Sequence, residues 1–214
     1  MSGKITKPLF WLIDAILPRF CISCEVEGKI ICKSCHVNWQ THPRIKARSF
    51  SSFSYSDPIA RELIRAWKYS FDESAWQIMK QEIIKQDQAL LTFCHSMNIK
   101  KITWLPLHFQ RRNERGFDQA ERVANFLGQI TGIKVEKLLS RHLATEQQAR
   151  KTIAERKKIA LTKPFKALKT LNEENILLVD DVITTGSTMR SAENILKEIG
   201  AGQVFRYSIL KVKS

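Results

Sequence analysis

Acidic side chains are scarce in this sequence. Only 21 Asp+Glu face 35 Lys+Arg in 214 residues, a formal net charge of +14. The deficit excludes an acidic solvating protein and makes polyanions the natural partners: nucleic acid first, phosphorylated metabolites second, an anionic membrane surface third. Glycine and proline are few as well, at 8 and 6, which excludes a collagen-like or low-complexity chain. No apolar run reaches the roughly 18 residues that a membrane-spanning helix needs. The stretch Pro8–Phe20 (PLFWLIDAILPRF) comes nearest. Asp14 interrupts it and Pro18-Arg19 ends it, so it reads as a short amphipathic packing helix rather than a signal peptide. The expected location is cytoplasmic, with thiols reduced.

What remains is 43% hydrophobic, enough for one α/β domain with a small appendage. Four of the five cysteines form Cys21-x2-Cys24-x7-Cys32-x2-Cys35. Each CxxC pair can bend into a knuckle aiming two thiolates at one point, which suits a closed, structural zinc site better than disulfides or a redox pair. In so small a module the metal would supply most of the folding free energy, on the order of 10 kcal/mol. His36 adds an imidazole beside the cluster, and Cys94 reads as a buried core thiol. Arg19, Lys29 and Lys33 with Phe20 and Trp39 surround the cluster. That mixture suits single-stranded nucleic acid, and equally suits packing onto a neighbouring domain.

The basic stretch Gln40–Arg48 is expected to be a linker, dividing the chain into residues 1–45 and 46–214. Beyond it the pattern predicts a strand at Ser49–Tyr55, a helix opened by Asp57-Pro58 and running to Tyr69, and one helical stretch over Glu73–His95. A buried strand at Lys101–Leu105 stops at Pro106. It is followed by a loop holding Arg111, Arg112 and Arg115, a helix from Asp118 to Ile130, and a strand near Val135–Leu139. A basic helix is expected over Arg150–Ala160, then a strand at Asn175–Val179, a helix at Ser187–Ile199 and a last strand at Gln203–Val212. This alternation predicts an α/β fold, a mostly parallel sheet flanked by helices.

The most informative segment is ILLVDDVITTGST, Ile176–Thr188. A buried strand delivers Asp180 and Asp181 at its carboxyl end, where open α/β sheets bind ligands. Thr184, Thr185, Gly186, Ser187 and Thr188 then lead into a helix N-terminus, whose free N–H groups and dipole favour a phosphate. No Lys follows the Gly, so this is not a Walker A loop. Carboxylates for a diol, with hydroxyls and N–H groups for a phosphate, describe a ribose 5-phosphate site.

This segment resembles the 5-phosphoribosyl-1-pyrophosphate (PRPP) motif of type I phosphoribosyltransferases. The resemblance implies that Asp180 and Asp181 hold the ribose hydroxyls, that Thr184–Thr188 hold the 5-phosphate, and that Mg2+ accompanies the pyrophosphate. With the cysteine pairs, the Tyr55–Tyr69 stretch ending Trp67-Lys68-Tyr69, the Arg115–Ala120 segment, Arg141, Thr145, Gln148 and Glu155-Arg156, the chain resembles the ComF-type competence proteins of the ComFC/GntX branch. Ile159 departs from the Asn that this family often carries there.

In such a site Arg115 and Gly116 would meet the pyrophosphate. Arg111, Arg112, Arg156, Lys157 and Lys158, together with Lys29 and Lys33, are candidate DNA contacts. The implied role is binding incoming single-stranded DNA during natural transformation, with a PRPP pocket and, as further partners, other DNA-uptake proteins. Two alternatives stand beside it: an active phosphoribosyltransferase using PRPP and Mg2+, and a zinc-dependent interaction module with a vestigial pocket.

Overall fold

The computed structural model describes residues 19–107, 116–141 and 164–212. Cys32 caps a short helix α1 (Lys33–Asn38) by accepting the Cys35 N–H, and Trp39 ends it. Strands β1 (Arg44–Lys46) and β2 (Ser49–Ser54) follow. Asp57 caps α2 (Pro58–Tyr69), and Pro58 occupies the first turn, where a missing donor costs nothing. Ala60, Leu63, Ile64 and Trp67 form its buried stripe. Next come α3 (Glu73–Ile84), α4 (Asp87–Ser96), β3 (Ile99–Trp104), α5 (Gln119–Thr131), β4 (Lys134–Val135) and β5 (Leu139–Arg141). The order closes with β6 (Phe165–Ala167), β7 (Asn175–Ile183), α6 (Ser187–Glu198) and β8 (Val204–Lys211).

Six strands form one sheet in the order β1-β2-β8-β7-β3-β4. Every neighbouring pair is parallel except β1 with β2, and β5 with β6 forms a separate antiparallel pair. Alternate residues of β7 serve opposite cores: Leu177 and Val179 face the helices α2 to α5, while Ile176 and Leu178 face α6 and the β5–β6 pair. Among the described residues no helix is long and apolar enough to cross a membrane.

The strand order creates the site. After β3 the chain moves outward to β4; after β7 it moves the opposite way, to β8. The crevice between the carboxyl ends of β3 and β7 is therefore the switch point at which open α/β sheets bind ligands. β7 also outruns β3. Its pairing with β3 ends at Trp104 opposite Val179, whereas its pairing with β8 continues through Asp180 opposite Ser208 to Ile183 opposite Lys211. The strand thus extends through the acid pair, longer than its apolar run suggested.

Three elements differ from the pattern-based expectation. The helical stretch Glu73–His95 is broken at Lys85-Gln86, because Gln86 turns inward and its Nε2 donates to the Ser52 carbonyl at 3.2 Å. The strand near Val135–Leu139 divides: Val135 joins the main sheet, while Leu138 and Leu139 sink into the second core. The stretch expected as a linker contains β1, so a division at residue 45 falls inside a strand. The N-terminal module shares the first core through Cys21, Ile30, Ile31 and Trp39. Of the expected helices, Pro8–Phe20 falls outside the described residues as far as residue 18, and Arg150–Ala160 falls outside them entirely.

Candidate ligand pocket and four-cysteine site

A cavity of about 670 Å3 occupies the switch point. Asp180, Asp181, Thr184 and Thr188 line one side, Leu105 to Leu107 a second, and α2 a third. A smaller recess, about 40 Å3, adjoins it and is lined by Thr184 to Thr188 with Asp180. Gly186 caps α6 at φ +71°, the left-handed region that a residue without Cβ adopts most easily. At this turn the Ser187 N–H, the first of α6, lies 3.5 Å from Thr185 Oγ1. Arg190, one helical turn on, donates to the Thr185 carbonyl at 3.0 Å and brings a guanidinium to the loop.

The two adjacent carboxylates have unlike surroundings. Asp181 is buried, and its Oδ2 lies 2.7 Å from Lys68 Nζ on α2. Asp180 keeps some surface open to the cavity, but protein atoms crowd its carboxyl, and its Oδ1 accepts the Asp181 N–H at 2.8 Å. Burial, and then the charge of Asp181, push the Asp180 carboxyl well above the usual range, against the pull of Lys68. Asp118, also raised by burial, caps α5 and accepts the Leu107 N–H at 2.9 Å, which ties the residue just past β3 to the start of that helix. The cavity therefore holds a carboxyl that burial inclines to stay protonated beside one paired with a lysine.

Sequence reasoning gave no site role to the cations of α2. Arg61, Arg65 and Lys68 line the cavity, as does Arg141 at the end of β5. The signal was available: Arg61, Arg65 and Lys68 recur at helical spacing along one flank of the apolar stripe. Thr185, Gly186 and Ser187 line the small recess rather than the larger cavity. Gly116 is described, exposed and in the left-handed region at φ +71°. Arg115, Arg111, Arg112, Thr145, Gln148, Arg156, Lys157 and Lys158 lie outside the described residues.

The four cysteines converge. All four Sγ atoms lie within 4.8 Å of one another, and Cys24 Sγ is 3.6 Å from Cys32 Sγ. A tetrahedral ion with zinc–sulfur bonds of about 2.3 Å would set its sulfurs about 3.8 Å apart, so the donor set fits zinc. Burial opposes ionisation of Cys21, but N–H groups of Cys32, Ser23 and Cys24 outweigh it and bring the thiol down to about 6. His36 is directed away from the cluster, with its Nε2 2.9 Å from Glu82 Oε1. Lys29 and Lys33 are exposed and line a groove of about 520 Å3 with Arg19 and His36, floored by Ile30, Ile31 and Ile78.

The chain is similar to several known proteins. Residues 114–210 match the family described as Phosphoribosyl transferase domain. The chain is 26% identical over 187 residues to the competence protein ComFC of Bacillus subtilis (strain 168), covering 85% of this chain and 72% of that protein. A 35-residue stretch is 54% identical to a ribose-phosphate pyrophosphokinase of Pyrococcus abyssi, covering 16% of this chain and 12% of that protein. Among solved structures, a purine phosphoribosyltransferase from Pyrococcus horikoshii is similar with a TM-score of 0.35 at 14% identity, over 60% of this chain and 81% of that one. A hypoxanthine phosphoribosyltransferase from Staphylococcus aureus gives 0.32 at 9% identity, over 58% and 73%.

Proposed function

This chain is a ComF-type protein, with a phosphoribosyltransferase domain behind a four-cysteine cluster, and from that premise we propose that it handles single-stranded DNA in natural transformation while binding PRPP at the switch-point cavity. The observation that carries the pocket reading is the meeting of Asp180, Asp181, Thr184 and Thr188 with Lys68 and Arg141 around one cavity. In this reading Asp180 and Asp181 accept the ribose hydroxyls, and the hydroxyls and N–H groups of Thr184–Thr188 hold the 5-phosphate. Arg115 and Gly116 serve the pyrophosphate, and the carboxylate oxygens suit a hard ion such as Mg2+, which would offset pyrophosphate charge. Cys21, Cys24, Cys32 and Cys35 hold a structural Zn2+.

DNA binding rests on the charge of +14 and on the basic groove at Lys29 and Lys33. Arg111, Arg112, Arg156, Lys157 and Lys158 would extend the track. The protein works in the cytoplasm, where the strand arrives and other uptake proteins meet it. Anisotropy of a labelled single-stranded oligonucleotide tests this directly. Affinity falls with salt at a log–log slope of about −0.7 per neutralised phosphate, and replacing Arg111 and Arg112 together removes about 1.4 from that slope. An affinity indifferent to salt contradicts the DNA reading.

The complete acid pair and phosphate loop favour a second reading, active phosphoribosyl transfer. There the bond from ribose C1 to the pyrophosphate oxygen breaks, an acceptor bonds to C1, and the site's carboxylates stabilise the cationic ribosyl centre. Pyrophosphate release from PRPP, assayed across nucleobase and amine acceptors, separates transfer from binding alone.

A further inference from the structure

We infer that the four-cysteine module braces the pocket helix α2, so that metal binding and cavity binding strengthen each other, with Asp57 as the coupling residue. The inference rests on the cavity being the ligand site proposed above and on the cysteines holding zinc.

Helix α2 supplies Arg61, Glu62, Ile64, Arg65, Lys68 and Tyr69 to the cavity wall. Both of its ends are tied to the N-terminal module. At the start, Asp57 Oδ1 accepts the Ala60 N–H at 3.0 Å, while its Oδ2 accepts Trp39 Nε1–H at 2.7 Å. Just beyond the other end, Asp72 caps α3 through Ser74 N–H at 2.8 Å and accepts Arg19 Nη1–H at 3.1 Å. A third tie lies on α3, where the Glu82 side chain, only 1% exposed, faces His36 Nε2 at 2.9 Å and accepts Thr41 Oγ1–H at 3.2 Å. Three carboxylates, two of them helix caps, are therefore answered by donors from the cysteine module and the segment that follows it.

The donors depend in turn on the cysteines. Helix α1 has six residues, far below the length at which a helix stands alone in water. Its first turn is built on Cys32 and Cys35, and its last residue leads directly into Trp39, which stacks on Phe53 at 5.3 Å. Loosening the cysteines frees Trp39, and with it the brace on Asp57. Lys68, about three turns along α2 from Asp57, carries any shift of the helix to Asp181. Linkage makes the effect mutual: a ligand that fixes α2 must also retain the metal.

The Asp57→Asn variant separates the brace from the cap. The remaining side-chain oxygen can still accept from Ala60 N–H, while the amide nitrogen meets Trp39 N–H donor to donor. The full zinc-loaded chain is titrated with PRPP and Mg2+, and its zinc affinity is measured by equilibrium competition with a chromogenic chelator with and without PRPP. In the wild type PRPP tightens zinc binding at least about fivefold; in Asp57→Asn this gain is lost and PRPP affinity falls about fivefold or more. Glu82→Gln, which weakens a different tie, lowers the gain in the same direction. A wild type that binds PRPP but holds zinc with one affinity throughout overturns the inference and leaves the pocket reading intact. A wild type that fails to bind PRPP overturns both.

Discussion

At the scale of residues, Asp180 and Asp181 sit in unequal settings. The unfolded Asp180 titrates near 3.9, and in the folded protein burial and the Asp181 charge hold it well above that. Its contribution to stability is therefore full below the unfolded value and is lost as pH rises through the folded one. Asp180→Asn removes that cost. Without ligand, its melting temperature should exceed the wild type's at neutral pH, and the gap should close as pH falls toward 4; a gap that does not change with pH contradicts the assigned environment. Lys68 is the counterpart of Asp181. Lys68→Met leaves a buried carboxylate without its cation and should cost about 3 kcal/mol in denaturant unfolding. Adding Asp181→Asn should recover most of that loss, and simple additivity of the two changes would show that the pair is not coupled. The acid pair was legible in the sequence because both members lie in one short segment. Lys68 was not, because its partner lies far along the chain and only the sheet brings them together.

Among the elements, the exit from β3 matters most, since Leu105 to Leu107 line the cavity with the acid pair. Asp118 holds Leu107 there by accepting its N–H, and accepts from Ala120 and Glu121 N–H groups as well. Asp118→Ala should cost about 1–2 kcal/mol as a lost cap and should also weaken ligand binding, because Leu107 loses its anchor. Denaturant midpoints and ligand titration on the same variant check the two effects, and a stability loss with unchanged affinity would make Asp118 a cap alone. Helix α2 was fully legible from Asp57-Pro58 and its apolar spacing. The break between α3 and α4 was not, since it comes from Gln86 reaching Ser52 on a distant strand. The Thr184–Thr188 loop into α6 could be read in sequence, whereas the overrun of β7 past β3 that opens the crevice depends on strand pairing.

For the whole molecule, topology and charge point to one partner chemistry. The strand order puts the cavity where α/β sheets bind ligands, and the net charge of +14 favours polyanions at the surface. The four-cysteine module shares a core with the sheet domain and is not simply tethered to it. The sequence revealed both parts but not their joint packing, because Trp39 meets Asp57 and His36 meets Glu82 only in the folded chain.

Thermal unfolding of the zinc-loaded protein shows whether the cavity is a working ligand site. PRPP and Mg2+ are added separately and together, to the wild type and to the Asp180→Asn/Asp181→Asn double variant. At a PRPP concentration 100 times Kd the wild type should gain about 2.7 kcal/mol of stability, seen as a clear rise in melting temperature that the double variant lacks. No rise in the wild type, or an equal rise in both proteins, would mean that the cavity with its acid pair is not the PRPP site.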